Sequence, residues 1–118
     1  MILDASAVLA VLLGEPGAEA AAPLLEGADI SAVNMLEVVA RLRRETPAHF
    51  EALQVLDLAV LPIDAAVPAA DLLHRHRGVL SLGDCACIAT ASALGRPVLT
   101  ADRVWATLGL PVEVRLIR

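Results

Sequence analysis

Short apolar runs alternate with longer helix-prone stretches along this chain. Met1 to Leu3 form an apolar run that ends at Asp4. Ala5 to Leu13 predict a helix that is apolar nearly all round, stopped by Gly14. Pro16 restarts a helix to about Leu25, with Gly27 behind it. Ile30 to Val33 predict a short buried strand, and Asn34 opens a strong helix to about Glu45. Pro47 starts another helix, reaching about Leu58, before a third strand over Ala59 to Ile63. Asp64 opens a helix to about Arg77 with Gly78 at its end, and Pro68 is tolerable in its first turns. Gly83 begins the next helix and Gly95 closes it. Pro97 to Thr100 predict a fourth strand, and Asp102 to Leu108 a short helix ending at Gly109. The last strand, Val112 to Ile117, has Glu113, Arg115 and Arg118 interleaved or adjacent, as an edge strand would. Strands alternating with helices predict a mostly parallel sheet of about five strands covered on both faces. The middle of the chain holds two consecutive helices between strands, so not every crossover is a single helix.

Composition narrows this picture. The 118 residues are one domain's worth, and nothing reads as a linker, a repeat or a low-complexity tail. The chain is 58% hydrophobic, yet no apolar run approaches the ~18 residues of a membrane span. Phe50 and Trp105 are the only aromatics, too few for a single-strand binder built on stacking platforms. The net charge of −5 argues against sequence-independent nucleic-acid binding but not against an enzyme whose acids are neutralised by metal. All nine basic residues are Arg. Cys85 and Cys87 sit two apart in a predicted helix, so they point to different faces and read as core packing. The start MILDAS has no basic region and no cleavage site. A reduced, cytoplasmic setting without membrane contact is the expectation.

Open parallel sheets bind ligands outside the carboxyl ends of their strands. Asp4 follows the first strand there, Asp102 follows the fourth, Glu37 lies one turn into the helix after the second, and Asp84 opens the helix leading into the fourth. Each acid also has a plain reading. Asp4 and Asp102 suit helix caps, and Asn34-x-x-Glu37 and Ser81-x-x-Asp84 resemble capping boxes. Asp64, at the far edge of the predicted sheet, reads as a cap alone. Jointly the plain reading weakens. With no Lys and few Arg nearby, four carboxylates in one crevice repel strongly. A hard divalent cation resolves that, and an all-oxygen set selects Mg²⁺ or Mn²⁺ over Zn²⁺. Such a cluster suits phosphodiester hydrolysis.

Four segments carry a family resemblance: ILDASA at the start, ISAVNMLEVVARL, LSLGDCACIATA and VLTADRVW. In that order they resemble the four motifs of PIN domains, and more narrowly the VapC-type toxins of bacterial toxin–antitoxin pairs. The resemblance covers the whole chain, 1–118, as a single PIN-like domain. It implies a three-layer α/β/α sandwich and a metal-dependent endoribonuclease. It implies that Asp4, Glu37, Asp84 and Asp102 bind Mg²⁺ or Mn²⁺ for RNA cleavage. Ser6 and Thr100 match positions beside the metal or its water; each also suits simple helix or turn hydrogen bonding. Some members carry a further acid after the last motif; Arg103 and Val104 stand there instead, which leaves one or two cations open. The segment between Glu37 and Asp84 is short for the family, so its helical hairpin is expected to be trimmed.

Weaker candidates surround this set. Arg41 is spaced either to pair with Glu37 one turn away or to grip a phosphate at the rim, and Arg103 has the same choice beside Asp102. Arg43, Arg44, Arg75, Arg77, His49, His74 and His76 read as surface, and Trp105 as core or lid. A helix Ala5–Leu13 that is apolar on more than one face predicts a second buried surface, hence a homodimer. The resemblance adds a small antitoxin protein, which would lay an apolar helix in a groove and send a basic residue to the carboxylates. Two rivals remain: a non-catalytic binding module on the same fold, and a phosphoryl-accepting α/β domain, which would usually need a Lys that this chain lacks.

Overall fold

A computed structural model describes residues 1–56 and 58–118. Five short strands form one sheet: β1 Ile2–Leu3, β2 Asp29–Ser31, β3 Ala59–Leu61, β4 Val98–Thr100 and β5 Val114–Leu116. Their order is β3-β2-β1-β4-β5, and every pairing is parallel. Because successive strand residues face opposite sides, the sheet builds two cores. Leu3, Ile30 and Leu99 pack with α1 (Ala5–Leu13), α3 (Ala32–Glu45) and α4 (Phe50–Val55). Ile2 and Val98 pack on the other face with α5 (Ala66–Arg75), α6 (Leu82–Leu94) and Trp105. This is the expected three-layer sandwich. The chain leaves the central strand β1 toward β2 on one side and reaches β4 on the other. The strand order therefore reverses between β1 and β4, where a ligand crevice belongs.

The differences from the expected elements have local causes. The helix expected from Pro16 to about Leu25 is a single turn, α2 (Ala18–Ala21), then a 3₁₀ turn over Ala22–Leu24. Gly17 holds φ +93, and a Cβ there would collide with the Ile117 carbonyl, so the helix cannot start before it; Pro23 then removes a backbone donor. β2 ends two residues sooner than expected because Ser31, not Asn34, caps α3. Pro47–His49 form a 3₁₀ turn before α4, and the stretch of the expected helix that crosses position 57 lies outside the described residues. Pro62 cuts β3 to three residues. Asp64 is exposed and does not cap α5; Ala65 occupies the cap position without a side-chain bond, and α5 ends at Arg75 rather than Arg77. After β4, the expected helix is a 3₁₀ turn over Arg103–Thr107.

α1 is apolar all round for an internal reason. Its Ala5, Ala7, Val8, Leu9 and Ala10 are buried against the sheet, α2 and α3 of the same chain. Val11, Leu12 and Leu13, at its C-terminal end, stay half-buried, so part of the apolar surface expected there for a second copy remains. Large exposed hydrophobics lie elsewhere, among them Leu36, Leu82 and Val104. Cys85 and Cys87 are both buried in one core, because α6 is enclosed on nearly all sides. Among the described residues no single helix is long and apolar enough to cross a membrane.

Candidate metal centre

Four carboxylates meet at the carboxyl edge of the sheet, graded from buried to exposed. Asp4 follows β1 at once and is only 5% exposed. Glu37, in the second turn of α3, and Asp84, in the first turn of α6, are half-buried. Asp102, after β4, is exposed. In a parallel sheet α3 begins at this edge and α6, returning toward β4, also starts here, so both helix N-termini face the crevice.

Asp4 occupies the N-cap position of α1 but its side chain makes no cap bond. Its Oδ2 instead accepts the Ser6 hydroxyl and the Thr100 hydroxyl, the latter at 2.8 Å. Those hydroxyls are oriented in turn: the Ala101 N–H donates to Ser6 Oγ at 2.9 Å and the Asp102 N–H to Thr100 Oγ1 at 3.1 Å. Two backbone amides therefore fix two hydroxyls, which fix one carboxylate. Ser6 and Thr100 thus hold Asp4 in place and also accept backbone turn bonds, so the two readings of these residues coexist.

Asp84 and Asp102 do serve as caps. Asp84 forms a reciprocal box with Ser81, its Oδ2 accepting the Ser81 N–H at 2.8 Å while Ser81 Oγ accepts the Asp84 N–H at 3.1 Å. Asp102 Oδ1 accepts the Val104 N–H at 3.0 Å. The box expected between Asn34 and Glu37 is absent, because Asn34 is inside α3. Asn34 Nδ2 donates instead to Glu37 Oε2 at 3.0 Å and to the Gly83 carbonyl at 3.0 Å. Asn34 and Gly83 are the site residues that sequence reasoning passed over. The available signal was Gly83 itself, a glycine in the first turn of a helix.

The electrostatics are those of uncompensated like charge. Among the described residues none of the four acids is in an ion pair. Burial pushes Asp4 above the usual carboxylate range, opposed by its hydroxyl bonds. Burial also raises Glu37, with Asp4 and Asp84 adding repulsion while Asn34 opposes it. Asp84 is raised by burial, then by Asp4 and Asp102, against the bonds from Ser81. The buried Cys87 thiol is driven well up by burial and by the field of Asp4, Asp84 and Glu37. Among the described residues no three His, Cys, Asp or Glu side chains form a ready-made cation cage. The acids share a field rather than ligation distances, two of them turned back onto their own helices. The donor set nevertheless fits a hard divalent cation: all oxygen, clustered and without a countercharge.

A pH dependence follows. A carboxyl held above its unfolded value contributes stability that is complete below the unfolded pKa and lost as pH rises through the folded one. In EDTA, the melting temperature is expected to rise as pH is lowered from neutral toward the ordinary carboxylate range. Glu37→Gln should flatten that slope. A slope unchanged by the substitution would show that Glu37 does not contribute to it.

The expected arginines lie differently. Arg41 does not pair with Glu37; it pairs with Glu15 at 2.8 Å and with Glu45 at 3.0 Å, one turn the other way. Arg103 is exposed beside Asp102, with its Nε donating to the Arg118 carbonyl at 3.2 Å. Arg43 lies over the Phe50 ring. Trp105 is core, 1% exposed.

Comparison with known proteins agrees with this fold. The PIN domain model matches residues 1–109. The chain is 35% identical to a protein named Ribonuclease VapC from Mycolicibacterium smegmatis, over 84% of this chain and 88% of that one. A toxin–antitoxin complex from Klebsiella pneumoniae superposes with a TM-score of 0.70 at 19% identity, covering 95% of this chain and 98% of that one. A VapBC complex from Rickettsia felis, bound to a DNA fragment from its promoter, gives 0.74 at 13% identity, covering 98% and 96%. At these identities the two structures speak for the fold.

Proposed function

The chain belongs to the PIN-domain family, and on that premise we propose that it is an Mg²⁺- or Mn²⁺-dependent endoribonuclease. We read it as the toxin of a toxin–antitoxin pair, acting in the cytoplasm through its single domain, 1–118, and silenced by a small antitoxin protein. One observation carries this reading: a buried aspartate, Asp4, is held by two oriented hydroxyls at the point where the strand order reverses.

Asp4, Glu37, Asp84 and Asp102 would hold the cation. When bound, it supplies positive charge to a phosphodiester transition state and lowers the pKa of a water molecule. The protein's own groups do the rest. Ser6 and Thr100 saturate Asp4 Oδ2 and fix its rotamer, so the carboxylate does not reorganise during the reaction. Asn34 steadies Glu37. Asp84 and Asp102 each have one oxygen engaged in a cap and a second oxygen outside that bond. Arg103, on the rim, has further guanidinium donors for an RNA phosphate. Arg41, already shared between Glu15 and Glu45, is the weaker RNA contact.

Leu36 and Leu82 are each 67% exposed and directly precede Glu37 and Gly83 in the chain. An apolar rim beside an acidic crevice suits an antitoxin that covers the leucines and sends a basic side chain to the carboxylates. A homodimer remains part of this proposal.

The test is RNA hydrolysis with purified protein. Cleavage is expected with Mg²⁺ or Mn²⁺ and none in EDTA. Full activity in EDTA, or rescue by Zn²⁺ alone, would sink the metal assignment. RNA binding without product would instead mark a non-catalytic module.

A further inference from the structure

Asn34 is wholly buried within the first turn of α3, an expensive place for an amide unless every polar atom is used. It is fully used. Oδ1 accepts the Ser31 hydroxyl, and the two Nδ2 protons go to Glu37 Oε2 and to the Gly83 carbonyl. One side chain thus ties together the carboxylate of α3 and the first turn of α6. Gly83 completes the contact from the other side. Its backbone is helical, not left-handed, so conformation gives no reason for glycine. Glycine is also a weaker helix former than alanine. The reason is space, since a Cβ on Gly83 would overlap the Glu37 carboxyl group.

We infer that Asn34 and Gly83 are positioning residues for Glu37: the Asn34 amide orients the carboxylate, and the side-chain gap at Gly83 is the cradle it rests in. The inference rests on the reading of Glu37 as a cation ligand. The pair keeps Glu37 lodged against the helix turn that carries Asp84, so two half-buried acids from different helices stay in register. A plain structural staple between α3 and α6 would need only the bond from Asn34 to the Gly83 carbonyl. It would not need the gap.

Asn34→Ala removes the staple as well as the orientation and is expected to destabilise the fold, so it cannot separate these roles. Gly83→Ala can. It leaves the Gly83 carbonyl and its bond to Asn34 in place, favours the helix, and displaces only the far end of Glu37. The experiment compares wild type, Gly83→Ala, Glu37→Gln and the double variant by melting in EDTA, Mn²⁺ titration calorimetry and RNA cleavage. Gly83→Ala is expected to stay folded in EDTA, its gain in helix propensity offset by the disturbed bond from Asn34 to Glu37. It should bind Mn²⁺ about 10- to 100-fold more weakly, as loss of an outer support does, and lose cleavage with it. In the Glu37→Gln background the same substitution should change Mn²⁺ affinity by no more than about twofold, since there is no carboxylate left to position. Wild-type Mn²⁺ affinity in Gly83→Ala, with Glu37→Gln weakened, overturns the inference alone. An equal loss in both backgrounds also overturns it, because the effect would not run through Glu37. Wild-type affinity in Glu37→Gln overturns the ligand reading and the inference together.

Discussion

Asp4→Asn should lower RNA cleavage by about 10³-fold or more, the scale on which a preorganised charged group is lost from an active site, while the protein stays folded. Asp4 is the most enclosed of the four acids and the one whose environment is spent wholly on orienting it. Asparagine fits the same space. Its carbonyl oxygen can still accept from Ser6 and Thr100, but the amide nitrogen then takes the place of the second carboxylate oxygen. A hydrogen-bond donor without charge would face the cation. The folded state should not suffer, because burial already penalises the charged form of Asp4. In EDTA, Asp4→Asn is therefore expected to melt at or above the wild-type temperature. Asp64→Asn is the control: Asp64 is exposed and its side chain caps nothing, so activity and melting should stay near wild type. Cleavage by Asp4→Asn within about tenfold of wild type would mean that the reaction does not depend on this carboxylate.

Why Asp4 was legible from sequence while Asn34 was not is a matter of range. The motif ILDASA places an acid directly after an apolar run, and a parallel α/β pattern puts that point at a ligand-binding edge. The same logic located Asp102 and, through its helix start, Asp84. The sheet, its two covered faces and its edge strand followed from alternation alone. Asn34 was misread as a helix cap because asparagine favours that position, and local propensity carries no information about α6, 49 residues away. Gly83 does fall in the first turn of α6, as expected, but local sequence gives no reason for a glycine there. The volume it leaves for Glu37 exists only after α3 and α6 pack. α1 is apolar all round largely because α2 and α3 of the same chain cover it, which local sequence cannot tell apart from an outside partner; only Val11, Leu12 and Leu13 stay half-buried. Arg41 had an i,i+4 acid on either side, and in the fold it pairs with Glu45 and with Glu15, from a distant segment that local spacing cannot foresee.

The strongest test of the whole site is thermal, because it reads ligands apart from catalysis. Asp84 and Asp102 are caps in the folded chain, and asparagine caps a helix about as well as aspartate. Each cap bond uses one carboxylate oxygen, which an asparagine carbonyl can replace. If capping were their only task, Asp84→Asn and Asp102→Asn should melt like wild type in EDTA, and all three proteins should gain equally from Mn²⁺. If both acids are ligands, the three proteins diverge. In EDTA, Asp84→Asn should melt higher than wild type, since burial and the neighbouring Asp4 and Asp102 already disfavour its charge. At Mn²⁺ about 100 times the dissociation constant, linkage stabilises the wild type by about 2.7 kcal/mol, a rise of roughly 10 °C for a domain of this size. The variants, binding more weakly, should gain only part of that. The half-buried Asp84 is expected to lose more of the gain than the exposed Asp102, whose charge water already screens. Equal gains in all three would remove both carboxylates from the cation and overturn the four-acid site.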